Sequence, residues 1–129
     1  MTTTLLPLPP EVSGSLTELA VPFIHAKALI DPQPTGAEYG LDGALLAVVS
    51  AENVLNTVNA ARSRKPVTAL LAGGLATISA NAALTHANKV LDGTPVCHKC
   101  EPQEQRNKER VATVIFTAAQ VFVNRSLGK

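Results

Sequence analysis

The sequence has little of what most soluble domains use to build their surfaces and cores. Only 16% of the 129 residues are charged, whereas charged residues make up about a quarter of a typical globular chain. There is no tryptophan, and the chain contains only one tyrosine and three phenylalanines. The core must therefore be built from aliphatic residues and alanine, and alanine favours helices over strands.

The small net charge limits the partners that the chain can attract. A net charge of +1 at pH 7 gives no broad electrostatic field to steer nucleic acid, an anionic membrane surface or an acidic substrate. We therefore expect no specific nucleic-acid partner.

Cysteine usage and the first twenty residues indicate the compartment. Two cysteines are too few for the disulfide framework of a small secreted domain. The start of the sequence lacks the basic and apolar regions of a signal peptide. We expect a cytoplasmic protein, or one within an assembled particle made in the cytoplasm.

Signals for helix starts and stops divide the chain into about four helices. Residues 15–18 and 35–38 fit capping boxes, Pro66 stands where proline opens a helix, and Gly93 follows the third helical run as a left-handed cap. We predict an all-α bundle of about four helices, with helices two and three as a central antiparallel hairpin. Apolar stripes at helical spacing are expected to face its core. They are Leu16, Leu19, Ala20, Phe23, Ile24 and Leu29 in the first helix, Leu41, Leu45, Val48, Val49, Leu55 and Val58 in the second, and Val111, Val114, Ile115, Ala118, Val121 and Phe122 in the last.

The N-terminal segment combines prolines with leucines. We predict that residues 1–14 form an extended, Pro-rich arm ahead of a single helical domain at residues 15–129. Leu5, Leu6 and Leu8 give the arm an apolar side that needs a groove. The groove is either on the same domain or on a neighbouring subunit, and in the second case the arm supports assembly.

The third helix carries no charged residue between Lys65 and Lys89. Threonine, asparagine and histidine side chains interrupt this stretch, so we expect no membrane span. We predict instead a central helix that packs against neighbours on several sides. Small residues would let those neighbours approach closely, and the candidates for helix packing are Ala69, Gly73, Gly74 and Ala80.

The sequence Cys97-His98-Lys99-Cys100 is the one group of residues with obvious chemical potential. Two thiolates at this spacing can bind a metal ion or form a disulfide, and His98 is a further candidate ligand. No second cysteine pair completes a zinc site. Four interpretations stay open, namely reduced loop thiols, a local or intersubunit disulfide, a metal site and redox catalysis.

No other residues form a catalytic set, a cofactor motif or an evident small-molecule site. Glu52 falls on an apolar stripe, where a buried carboxylate needs a partner such as Lys27 unless it lies at an exposed edge. We predict a non-enzymatic structural subunit without a cofactor that forms homo-oligomers or a larger assembly, as a coat, capsid, shell or filament protein does. The alternatives are a thiol or metal module at Cys97 and Cys100, and a membrane-associated helical hairpin.

Overall fold

The computed structural model describes residues 9–30, 36–93 and 102–129, and almost all of them are helical. The four helices are α1 (Pro10–Ile30), α2 (Gly36–Arg62), α3 (Pro66–Asp92) and α4 (Gln103–Ser126). None of the described residues is in a strand. The predicted all-α fold of four helices is confirmed.

A tight turn joins α2 to α3 and makes the predicted hairpin. Arg64 adopts a left-handed backbone conformation with φ of 58°, and the Lys65 backbone N–H donates to the Ala60 carbonyl at 2.9 Å. Pro66 then opens α3, where its missing N–H has no helical partner to lose. At the other end of α3, Gly93 is the left-handed cap that the sequence indicates, with φ of 65°.

Side-chain contacts show that successive helices run antiparallel. Ser13 and Lys27 of α1 bond to Glu52 and Asp42 of α2, respectively, so residue numbers rise on one helix as they fall on the other. The Thr68 and Ser126 hydroxyls, at the start of α3 and the end of α4, lie 2.8 Å apart. Since α1 also packs against α4, the helices form an up-down-up-down bundle.

Helix α1 begins earlier than the capping box predicts. It starts at Pro10, so residues 10–14 belong to a helix and the expected 1–14 boundary of an extended arm is wrong. The Pro9 carbonyl accepts the Ser13 N–H at 2.9 Å and starts the helical ladder. A proline at the first helical position loses no hydrogen bond, which explains why Pro10 fits there. The helix also continues through Pro22 and is not divided there.

The buried faces of the helices mix polar and apolar side chains. Leu41 of α2 is 70% exposed, while Asn53 and Asn56 on the same helix are 0% exposed. The stripe predicted for α4 lies largely on the outside, whereas the stripes predicted for α1 and α2 are divided, because Ala20 and Val49 are buried and Leu19 and Leu41 are exposed. The compact apolar cluster that does form consists of Ala20, Val49, Ala72, Leu75, Phe116 and Val123.

Helix α3 is not surrounded on several sides within the described part of the chain. Only 28% of its most apolar stretch is buried, so its lack of charge does not come from a central position. Ala69, Gly73 and Ala80 are half-buried. Gly74 is exposed, and a Cβ added there would meet no atom within 4 Å, so the expectation that Gly74 packs between helices of the bundle is wrong.

Substitution by alanine should change the stability of the fold in opposite directions at Gly43 and at Gly74. An added Cβ at Gly43 would lie 3.0 Å from the His86 Cβ, so Gly43→Ala should destabilise the fold by about 1–3 kcal/mol through overpacking. Gly74→Ala should stabilise it by about 0.5–1 kcal/mol, because glycine in an open helical position is unfavourable. Urea unfolding at one protein concentration measures both changes, and a loss of stability in Gly74→Ala would contradict this packing.

Candidate functional site

The outside of the bundle carries large apolar side chains on all four helices. We call this the outer apolar surface. In α2, Glu52 is the sole charged residue from Gly43 to Ala61, and it is buried; α3 has no charged residue from Val67 to Asn88. The surface consists chiefly of Leu19 and Phe23 of α1, Leu41 and Val54 of α2, Leu70 and Leu84 of α3, and Val114 and Ile115 of α4.

Two of these helices are long and apolar enough, by length and composition, to cross a membrane. The stretches are Ala37–Arg62 and Pro66–Asp92, of whose most apolar windows 33% and 28% are buried. A core helix of a soluble protein passes the same test, but such a helix is mostly buried. Most of each stretch is therefore not buried within the described part of the chain, and exposed apolar surface of this kind is typical of interaction sites.

The interior contains a network of carboxamides at the junction of α2 and α4. Asn53 Nδ2 donates to Gln120 Oε1 at 2.7 Å, and Gln120 Nε2 donates back to Asn53 Oδ1 at 3.0 Å. Asn56 Nδ2 also donates to Asn53 Oδ1 at 3.1 Å. All three side chains are fully buried. Because each one satisfies another, the network fixes α4 against α2 at a single register.

The same network extends to α1 through Asn124. Gln120 Nε2 donates to Asn124 Oδ1 at 3.2 Å. Asn124 Nδ2 in turn donates to Thr17 Oγ1 at 2.9 Å and to the Gly14 carbonyl at 3.3 Å. Three of the four helices are therefore joined through buried polar side chains.

Glu52 and Lys129 form the charged end of this network. Ser13 Oγ donates to Glu52 Oε2 at 2.8 Å, and Lys129 Nζ lies 3.9 Å from the same oxygen. Lys129 Nζ donates to Ser13 Oγ and Asn56 Oδ1 at 3.0 and 2.6 Å. Burial lowers the pKa of Lys129 below 10.5, and the negative charge of Glu52 opposes this shift.

Of the two interpretations left open for Glu52, the structure shows the buried carboxylate and not the exposed edge, but the suggested partner Lys27 is wrong. Lys27 bonds to Asp42 at 2.6 Å instead, so Glu52 relies on Ser13 and Lys129. Glu52 Oε1 has no hydrogen-bond partner among the described residues. The network consists mainly of amides and hydroxyls, which do not titrate near neutral pH. Its chemistry suits holding helices together rather than transferring protons.

A cavity of about 640 Å³ opens between the four helices, away from the carboxamides. Its walls include Val21, Leu46, Ile78 and Phe116. Its polar groups include the Lys27–Asp42 pair and a stack of the Tyr39 and His86 rings, whose centroids lie 4.3 Å apart. The Lys89 ammonium lies 3.4 Å from the Tyr39 hydroxyl. The size and the apolar walls suit an apolar or amphipathic small molecule.

The cysteine segment and the N-terminal leucines that the sequence singles out are not among the residues that the structure describes. Cys97, His98 and Cys100 lie outside the described residues, as do Leu5, Leu6 and Leu8. Within the described ranges no group of three or more histidine, cysteine or acidic residues is arranged to hold a metal ion.

No family model, curated protein or solved structure matches this chain.

Sequence reasoning missed the carboxamide network. Its signal is present as asparagines three residues apart, at Asn53 and Asn56, and as amides four residues apart, at Gln120 and Asn124. These spacings put each pair on one helix face. Both pairs interrupt otherwise apolar segments. Because the sequence analysis assumed that apolar residues lie inside, these polar side chains were expected on the surface.

Removing one carboxamide should leave its buried partner unsatisfied. Gln120→Leu takes away both hydrogen bonds to Asn53, so we expect a loss of about 1–3 kcal/mol in the free energy of unfolding. Gln105→Leu, at an exposed position of the same helix, should change it by less than about 0.5 kcal/mol. Urea unfolding measures both variants, and similar effects would show that the network does not hold α4 in place.

The lowered pKa of Lys129 predicts a pH dependence of stability. Since the unfolded chain binds this proton more tightly than the folded chain, the free energy of unfolding should rise with pH between the folded pKa and 10.5. The Lys129→Met variant should lack this contribution, whereas the exposed control Lys108→Met should keep it. Urea unfolding across the alkaline range gives the profiles. If the stability of the original chain and of Lys129→Met changed with pH in the same way, the lowered pKa of Lys129 would be contradicted.

Proposed function

We propose that this chain is a non-enzymatic assembly subunit that associates with copies of itself through its outer apolar surface. The observation that supports the proposal is the inverted distribution of polarity. Amides and hydroxyls occupy much of the interior, while large aliphatic side chains face outward on every helix. Monomeric soluble proteins rarely expose contiguous apolar patches of more than a few hundred Å².

Association through this surface requires that several large apolar side chains become buried together. Burying one leucine-sized side chain stabilises a complex by roughly 1.5–3 kcal/mol, while association of two chains costs roughly 4–15 kcal/mol before such gains. One or two such contacts would not offset this cost, so several side chains must take part. Each of the four helices supplies exposed apolar side chains, among them Leu19, Leu41, Leu70 and Ile115. Several faces are available, which is a property of subunits in coats, shells and filaments.

A lipid bilayer is the competing cover for this surface. Lipid would accept Thr77, because its hydroxyl donates to the Gly73 carbonyl of the same helix at 2.9 Å. The carboxamides of Asn81 and Asn88 are exposed on the same helix and have no hydrogen-bond partner in the described part of the chain. Burying such groups in hydrocarbon is unfavourable, whereas a second protein copy supplies partners. These side chains favour protein over lipid.

The apolar N-terminal segment fits the same function. Leu5, Leu6 and Leu8 would add portable apolar area to contacts between subunits, as the sequence predicts for an arm. Residues 10–14, in contrast, belong to α1, and Ser13 bonds to the buried Glu52. The segment proposed to assist assembly is therefore residues 1–8.

Deletion of residues 1–8 should weaken self-association without changing helix content. Light scattering of protein purified without detergent should show a discrete assembly of the full chain and a smaller mass or weaker association for the deletion. Circular dichroism should give the same helical signal for both. Deletion of residues 1–14 is the contrasting control, because it also removes Ser13 and should destabilise the fold.

Two outcomes would contradict the proposal. A full-length chain that stays monomeric at all accessible concentrations would remove self-assembly as the function. A chain that is insoluble until detergent or lipid is added, and then carries one copy per micelle, would identify the bilayer as the cover.

A further inference from the structure

Helix α3 carries a heptad repeat on its outward face. Val67, Gly74, Asn81 and Asn88 are seven residues apart, and so are Leu70, Thr77, Leu84 and Leu91. All eight are exposed. The two series alternate at spacings of three and four residues, which is the pattern of the a and d positions in a coiled coil. We call these eight residues the α3 seam.

The rest of α3 shows that the seam faces away from the bundle. The buried residues of this helix, which include Thr68, Ala72, Leu75 and Ser79, fall between seam positions on the opposite face. Leu70, Leu84 and Leu91 are 78%, 62% and 83% exposed. The seam thus stays uncovered over its whole length, which is about 37 Å at 1.5 Å per residue.

The residue types at the two series indicate a particular partner. Leucine occupies three of the four d positions, and asparagine two of the four a positions. In coiled coils, leucine at d suits two parallel strands, and asparagine at a fixes register and oligomer state at some loss of stability. Each asparagine then faces the same asparagine of the other helix. The seam is therefore complementary to itself.

We propose that the α3 seam pairs in parallel with the α3 seam of a second copy, around a two-fold axis along the helices. The inference rests on the proposed self-assembly and names the contact that begins it. Asn81 faces Asn81 of the partner subunit, and each carboxamide supplies the hydrogen bonds that the other lacks among the described residues of its own chain. Leu84 packs beside the partner's Leu84.

The flanks of the seam fit this arrangement. Leu71 and Ile78, at e positions, are exposed and widen the apolar contact. Gly73 and Ala80, at g positions, are small and allow a close approach. No charged residue flanks the seam from Val67 to Asn88, so no ion pairs set the direction of the helices. The asparagines set it: in an antiparallel pair, Asn88 would oppose the partner's Leu70 and lose its hydrogen bonds.

A matched pair of substitutions tests the position of the contact. Leu84→Glu puts two like charges at the seam and removes two buried leucines, so the dissociation constant of the two-chain species should rise on the order of a hundredfold or more. Gln105→Glu introduces the same charge at an exposed position of α4 that is not part of the outer apolar surface and should leave that constant within about threefold. Sedimentation equilibrium measures both. Circular dichroism should show folded protein, since neither Leu84 nor Gln105 is buried within the single chain.

A second variant tests the direction of the helices. In a chain with Cys97→Ser and Cys100→Ser, Asn88→Cys places one thiol on the seam. In the parallel pair the two thiols lie across the axis from each other, and mild oxidation should link most chains into covalent dimers. In an antiparallel pair centred on the seam they would be on the order of 27 Å apart, and no link would form.

The outcomes separate this inference from the proposed function. A large effect of Leu84→Glu together with cross-linking through residue 88 supports the parallel seam. Equal effects of Leu84→Glu and Gln105→Glu, or association without cross-linking, overturn the seam but leave self-assembly standing. A monomeric original chain overturns both.

Discussion

The paired carboxamides of Asn53 and Gln120 are the contact on which the arrangement of the bundle depends. Their two hydrogen bonds, of 2.7 and 3.0 Å, join helices whose residues are 67 positions apart in sequence. A slip of α4 by one helical turn would move Gln120 by about 5.4 Å and leave both amides unsatisfied in the interior. Aliphatic contacts tolerate such a slip far better, because they lack direction. The amides therefore determine the register of the fold.

A polar interior has a consequence for the surface. The face of α2 that points inward holds Asp42, Glu52, Asn53 and Asn56 beside Leu46 and Val49. Leu41, Val54 and Val58 lie on the outward face of the same helix. The same exchange occurs in α4, where Gln120 and Asn124 are buried and Val114 and Ile115 are exposed. Polar side chains occupy part of the interior, and the sequence has few charged residues to place on the surface. Many large apolar side chains therefore face outward.

The helices themselves could be predicted from the sequence because their signals are local. Pro66 and Gly93 mark the ends of α3 through backbone properties that do not depend on the rest of the chain. The start of α1 was missed because a capping box at residues 15–18 outweighed a proline that suits a first helical position equally well.

The buried faces could be predicted only in part, because polar side chains share the interior with apolar ones such as Ala20 and Val49. Glu52 shows the limit clearly. Its place on an apolar stripe left both a buried and an exposed position open, and its partners Ser13 and Lys129 come from distant parts of the chain. No spacing in the sequence connects these residues to Glu52. The cavity near Tyr39 and His86 is likewise formed by all four helices together, and no local pattern signals it.

Stability and assembly are coupled by this distribution of polarity. Two of the six buried residues of the apolar cluster are the small side chains Ala20 and Ala72, and the residues that pack against the cluster are only partly buried. Apolar burial among the described residues therefore provides a modest driving force. Hydrogen bonds in the network give specificity but contribute little net free energy each, about 0.5–1.5 kcal/mol. Any contact that covers the outer apolar surface of the folded chain, and not of the unfolded chain, adds its binding free energy to that of folding. In the proposed self-assembly, a subunit with this structure would gain stability as it assembles, because other copies would cover its apolar exterior.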